Sequence, residues 1–78
     1  GEARLVVDGE PFAVTILDTS AEGFGVLSPQ PVAVDTYARL DMEGEEGPEM
    51  YECLVTHCLA EGEQYRLGLD AFSSLRIL

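Results

Sequence analysis

The sequence predicts an all-β domain whose small sheet closes on itself. Three observations carry that prediction. Apolar residues recur at a period of two almost throughout, no stretch repeats with the period of a helix, and turn clusters cut the chain into short runs at regular spacing. Closure follows because an open sheet of short strands leaves unpaired edges, which a barrel removes. The chain has 78 residues. A domain of that size buries only about 60% of the surface its unfolded chain exposes, enough for one modest core. Residues 1–78 therefore read as a single domain.

Residues 3–7 (ARLVV) and 12–17 (FAVTIL) are apolar, β-branched runs separated by Asp8-Gly9-Glu10-Pro11, which predicts a hairpin. Phe24 to Leu27 is a short third strand. It ends at Ser28-Pro29-Gln30-Pro31, where two prolines interrupt any ladder. From Thr36 to Met42, Ala38, Leu40 and Met42 alternate with Tyr37, Arg39 and Asp41. Glu43 to Glu49 reads as an acidic Gly/Pro loop, either a solvated hairpin tip or a face for a basic partner. Residues 50–60 (MYECLVTHCLA) form a longer strand, followed by a turn at Glu61-Gly62-Glu63. The last strand puts Tyr65, Leu67, Leu69 and Ala71 on one face. Arg66, Asp70 and Phe72 fall on the other, with Phe72 placed to cover an open edge. The tail from Ser73 to Leu78 is either a strand stub or the start of a helix.

Charge excludes more than length does. Fifteen acidic residues face four basic ones, all arginine, for a formal net charge of −11. At 46% hydrophobic residues the chain should nevertheless fold, since disordered chains pair high net charge with low hydrophobicity. Without lysine there is no Schiff-base amine and no phosphate-loop lysine. Without a basic patch there is nothing to hold nucleic-acid phosphates or anionic lipid. His57, Cys53 and Cys58 are too few ligands for a zinc site of ordinary spacing, so no metal is expected. On one strand the two cysteines lie on opposite faces, separated by about 16 Å of strand, too far for a disulfide. They read as reduced thiols. No signal segment and no long apolar run is present, which predicts a cytoplasmic protein without a membrane span. His57 lies mid-strand with no nucleophile beside it on its own face, and no catalytic residue is assigned: the expectation is a non-enzyme.

The densest cluster of special residues is Asp18-Thr19-Ser20-Ala21-Glu22-Gly23. Asp18 ends a strand, and its carboxylate or the Ser20 hydroxyl can accept the backbone N–H two residues on. Gly23 supplies either a left-handed backbone or room for a ligand to approach the chain. Read from chemistry alone, this is a well-made hairpin turn.

The surrounding residues point further. Asp18-x-Ser20-x-x-Gly23, the run Asp18 to Ser28, the Pro-rich step after it, Leu54-Val55-Thr56-His57-Cys58 and Tyr65-Arg66-Leu67-Gly68-Leu69 together resemble the PilZ domain family along most of the chain. The acidic stretch at 43–49 and the tail after Phe72 fall outside the match. The resemblance implies a six-stranded antiparallel Greek-key β-barrel, a bacterial second-messenger receptor that binds cyclic di-GMP on its outer surface. Asp18, Ser20 and Gly23 would be its ligand contacts. The family's other half-site is an Arg-x-x-x-Arg element just ahead of the first strand, whose guanidiniums clamp phosphates and stack on guanine. Here Arg4 stands alone, with Asp8 four residues on. The chain is therefore expected to be a piece of a longer protein whose arginine arm lies ahead of Gly1. The alternative is a degenerate PilZ domain that no longer binds nucleotide and serves as a protein-interaction or dimerisation module, using a surface patch or the segment from Phe72 to Leu78. A remoter alternative is a retroviral-type aspartic protease. Ile16-Leu17-Asp18-Thr19-Ser20-Ala21 resembles that family's active-site turn and Leu67-Gly68-Leu69-Asp70 its second conserved turn. The Glu22-Gly23-Phe24-Gly25 that follows departs from its pattern.

Overall fold

The computed structural model describes residues 1–76, and all regular structure among them is β. Six strands form: β1 (Glu2–Val7), β2 (Glu10–Thr19), β3 (Gly23–Ser28), β4 (Tyr37–Gly44), β5 (Gly47–Glu61) and β6 (Gln64–Arg76). They close into an antiparallel barrel in the order β1-β2-β3-β6-β5-β4, with β4 paired back to β1. Strands β1 to β3 are joined by short turns, and β4 returns over the barrel end to lie beside β1. That order, β4-β1-β2-β3, is a Greek key.

Turn chemistry sets the registers. Asp8 (φ 52) and Gly9 (φ 80) are both left-handed, as a type I′ turn requires, and they pair Val7 with Glu10. Gly62 (φ 64) opens the two-residue turn that pairs Glu61 with Gln64. The acidic stretch is a hairpin tip, as expected, but a much tighter one than its composition suggests. β4 runs to Gly44 and β5 starts at Gly47 (φ 123), leaving only Glu45 and Glu46 in the turn. Cross-strand pairing outweighs the local repulsion of the glutamates. The tail takes the first of its two expected forms, since β6 continues through Arg76; Ile77 and Leu78 lie outside the described residues.

One core fills the barrel: Leu5, Val14, Val26, Ala38, Leu40, Cys53, Val55, Leu67 and Leu69 from the six strands, with Val32 from the β3–β4 connection. Full burial of such an aliphatic side chain contributes about 1.5–3 kcal/mol. The connection is held where it leaves β3. The buried Ser28 hydroxyl donates to the Gln30 carbonyl (2.6 Å) and accepts the Gln30 N–H (3.2 Å).

Among the described residues three β-bulges break the alternation, with Leu17, Thr56 and Phe72 as the extra residues. The bulge at Thr56 corrects the cysteine geometry. Alternation alone puts Cys53 and Cys58 on opposite faces. With one residue inserted between them, Cys53 faces Ala71 and Cys58 faces Leu67, both pointing toward the core. Both thiols are free, as expected. Closure of the sheet corrects a second expectation, the one for Phe72. The closed sheet leaves no open edge there to cover, and the Phe72 ring instead packs beside Tyr37 on the outer face (centroids 6.3 Å apart). Among the described residues no helix is long and apolar enough to cross a membrane.

Candidate functional site

The barrel gathers the motif residues into a cleft of about 400 Å³ on its outer face, lined by Asp18, Ser20, Glu22 and Gly23 together with Gly25, His57, Arg66, Gly68 and Asp70, among others. The register explains the shape. Asp18 of β2 pairs with Gly25 of β3, Gly25 with Gly68 of β6, and Gly68 with His57 of β5. One row therefore crosses four strands with an acid at one end, an imidazole at the other and two glycines between. The bulge at Leu17 is what turns Asp18 outward, because without it Ile16 and Asp18 would keep the same inward face.

At both glycines the neighbouring side chains occupy the space a β-carbon would take. A β-carbon on Gly25 would lie 2.9 Å from Asp18 Oδ1, and one on Gly68 would meet the His57 ring and Thr56 Oγ1, the latter at 2.7 Å. Both end side chains lie over bare backbone. Of the two roles expected of Gly23, the left-handed one is not taken, and the space its missing side chain leaves is filled by a neighbouring strand. Its φ is not positive, and a β-carbon there would strike the Leu69 carbonyl across the β3–β6 pair.

The turn between β2 and β3 is closed without Asp18. The Ser20 N–H donates to the Gly23 carbonyl (2.9 Å), and the Ser20 hydroxyl accepts the Glu22 N–H (3.3 Å). The serine half of the expected turn bonding is therefore present. The aspartate half is replaced, and among the described residues no hydrogen bond engages the Asp18 carboxylate. The Ala71 N–H donates to the Glu22 carbonyl (2.9 Å), pinning the turn to β6.

Arg66, on the row beside the glycines, is the one arginine lining the cleft among the described residues. Its guanidinium is forked onto Glu61, Nε to Oε2 at 3.0 Å and Nη2 to Oε1 at 3.1 Å. Those hydrogen bonds raise the Arg66 pKa, as does the charge of Glu61 and, more weakly, that of Asp18. The same hydrogen bonds lower the Glu61 pKa. Arg4 is elsewhere, between Ala13 and Asp41, in a second hollow with Glu2, Glu43 and Glu49.

Chemically the cleft is rich in acceptors: three carboxylates and a serine hydroxyl against one guanidinium that is already paired. Such a site suits a flat ligand edge carrying N–H donors better than it suits a phosphate. His57, Gly25 and Gly68 were not singled out from the sequence as site residues. The signal for the glycines was present, because an isolated glycine on the polar face of a strand marks a close approach, and both β3 and β6 carry one. Comparison with protein-family models, with curated proteins and with solved structures yields no match.

Proposed function

We propose that this barrel is a PilZ-type receptor module for cyclic di-GMP, with the cleft holding a guanine and an arginine arm ahead of Gly1 holding the phosphates. The observation that carries this reading is the convergence of Asp18, Ser20 and Gly23 on one glycine-floored cleft. A guanine presents adjacent N–H donors on its Watson–Crick edge, and an ionised carboxylate is their natural acceptor. The register also favours the arm. Gly1 exchanges hydrogen bonds with Ile16, its carbonyl accepting from the Ile16 N–H (2.6 Å) and its amine donating to the Ile16 carbonyl (3.2 Å). Residues ahead of Gly1 that continued this ladder would run toward Leu17 and Asp18, alongside the cleft.

Calorimetry with cyclic di-GMP tests the reading. The chain extended by its native preceding residues should release heat, the 78-residue chain should not, and Asp18→Ala should abolish the signal in the extended chain. An extended chain that carries the arginines and stays silent overturns the proposal. So does a native preceding segment without arginines. Either result selects the second reading, a barrel of the same type that no longer binds nucleotide. That reading is favoured by one observation: the cleft's carboxylates outnumber its arginine in a chain of net charge −11.

A further inference from the structure

On the outer face of β4-β5-β6, three large apolar side chains stand together in solvent. Tyr37 is 50% exposed, Leu54 39% and Phe72 55%. Tyr37 pairs across the strands with Leu54, and the Tyr37 and Phe72 rings meet above β5 at 6.3 Å between centroids. Phe72 is the extra residue of a bulge in the β5–β6 ladder, between Ala71 and Ser73, on the same outer face as Asp70. Half-exposed aromatic side chains held against one another cost hydration free energy in the isolated chain, and such patches are where partners dock.

The rim identifies the partner's chemistry. Glu52 accepts the Tyr37 hydroxyl (3.3 Å), and Asp70 stands opposite Leu54. Arg39 lies opposite Glu52, but its guanidinium is forked onto Asp41 at 2.8 and 2.9 Å and so is neutralised. The patch is thus an apolar centre flanked by two carboxylates, with the nearby arginine already paired. A second copy of the chain would bring another −11 against it. Anionic lipid and nucleic acid are repelled in the same way.

We propose that Tyr37, Leu54 and Phe72 form a docking surface for a basic segment of another protein, an aliphatic or aromatic anchor flanked by Lys or Arg. The anchor seats between the two rings and Leu54. The flanking cations pair with Glu52 and Asp70. The surface adjoins the cleft at Asp70, which borders both, but its three apolar side chains lie outside the cleft and do not depend on nucleotide binding.

The experiment is selection from a random dodecapeptide library displayed on phage against the immobilised 78-residue chain without nucleotide. Enriched peptides should carry an aromatic or leucine anchor with at least two neighbouring Lys or Arg. Their affinity should fall about tenfold or more in Phe72→Ser and in Tyr37→Ser. It should weaken with salt, and be unchanged in Asp18→Ala. These are surface positions, and circular dichroism of each variant establishes that the barrel is intact. Four outcomes overturn the proposal: no enrichment, enriched peptides without positive charge, binding indifferent to Phe72→Ser, or a dimer in sedimentation that Phe72→Ser dissolves.

Discussion

Asp18 and His57 occupy the two ends of one cross-strand row, with only Gly25 and Gly68 between them. Three inter-strand spacings separate their backbones, about 14 Å, and each side chain lies over the glycine beside it. The row gives the site a floor without side chains, and it makes the three glycines of the cleft unequal in what they tolerate.

Alanine substitutions should rank by what the new β-carbon meets. At Gly25 it meets the end of a carboxylate that can swing aside, so Gly25→Ala should leave the urea midpoint close to that of the parent chain. At Gly68 it meets the His57 ring and the Thr56 hydroxyl, and the cost should be intermediate, with a clear change in the His57 ring signals by NMR. At Gly23 it meets the Leu69 backbone carbonyl, which cannot move without parting β3 from β6. Overpacking of that kind costs about 1–3 kcal/mol or more. A Gly23→Ala variant as stable as Gly25→Ala would show that the β3–β6 contact is not as tight as described.

The fold class and the approximate place of the six strands were legible in the sequence because barrel strands keep a period of two and their turns are written in Gly, Asp and Pro, though the end of β6 beyond Phe72 was left open. Two features were not. Glu43 to Glu49 is acidic and Gly/Pro-bearing, so local composition argued for a loop, but pairing with neighbouring strands carries β4 and β5 to Gly44 and Gly47. The bulges at Leu17, Thr56 and Phe72 were hidden because a bulge inserts one residue without changing composition. That insertion brings Cys58 to the core side and turns Asp18 outward. The motif residues Asp18, Ser20 and Gly23 could be picked out along the chain. Their facing His57, Gly68 and Arg66 depends on β3 pairing with β6, a contact between strands far apart in sequence.

Stability should fall at alkaline pH through Cys53. Burial, with a smaller contribution from the negative charge of Asp70, pushes its thiol up from 9.0 to about 11. The folded state therefore keeps a proton that the unfolded chain releases above pH 9. Stability is at its full value below that point and is lost as pH rises toward 11. At 1.36 kcal/mol per pKa unit, the loss between pH 8.5 and 10.5 is about 2 kcal/mol. Urea unfolding in reducing buffer should show it in the parent chain, and Cys53→Ala should remove this component of the decline. Parallel declines in the two proteins would place the alkaline loss elsewhere.

Glu61 should act as a competitor for the arginine of the cleft. Its carboxylate takes both arms of the Arg66 fork, and the fork's hydrogen bonds hold the Glu61 pKa below the ordinary carboxylate range. The ion pair is therefore complete at neutral pH and opens only as pH falls through that lowered value. Both side chains are at the surface, 41% and 50% exposed, so the pair adds little to stability. Under the proposed cyclic di-GMP reading, a phosphate that reached the cleft would have to take Arg66 from a partner already in place. Arg66→Gln should return the Glu61 carboxyl titration, followed by NMR, toward its ordinary midpoint. Glu61→Gln should leave the unfolding midpoint unchanged and free the guanidinium. In the chain extended ahead of Gly1, that release should tighten cyclic di-GMP and steepen the dependence of its affinity on salt, because one more arginine then meets phosphate. If Glu61→Gln leaves both the affinity and the salt slope unaltered, Arg66 is only the outward end of a strand pair, and the phosphates are held by the arm alone.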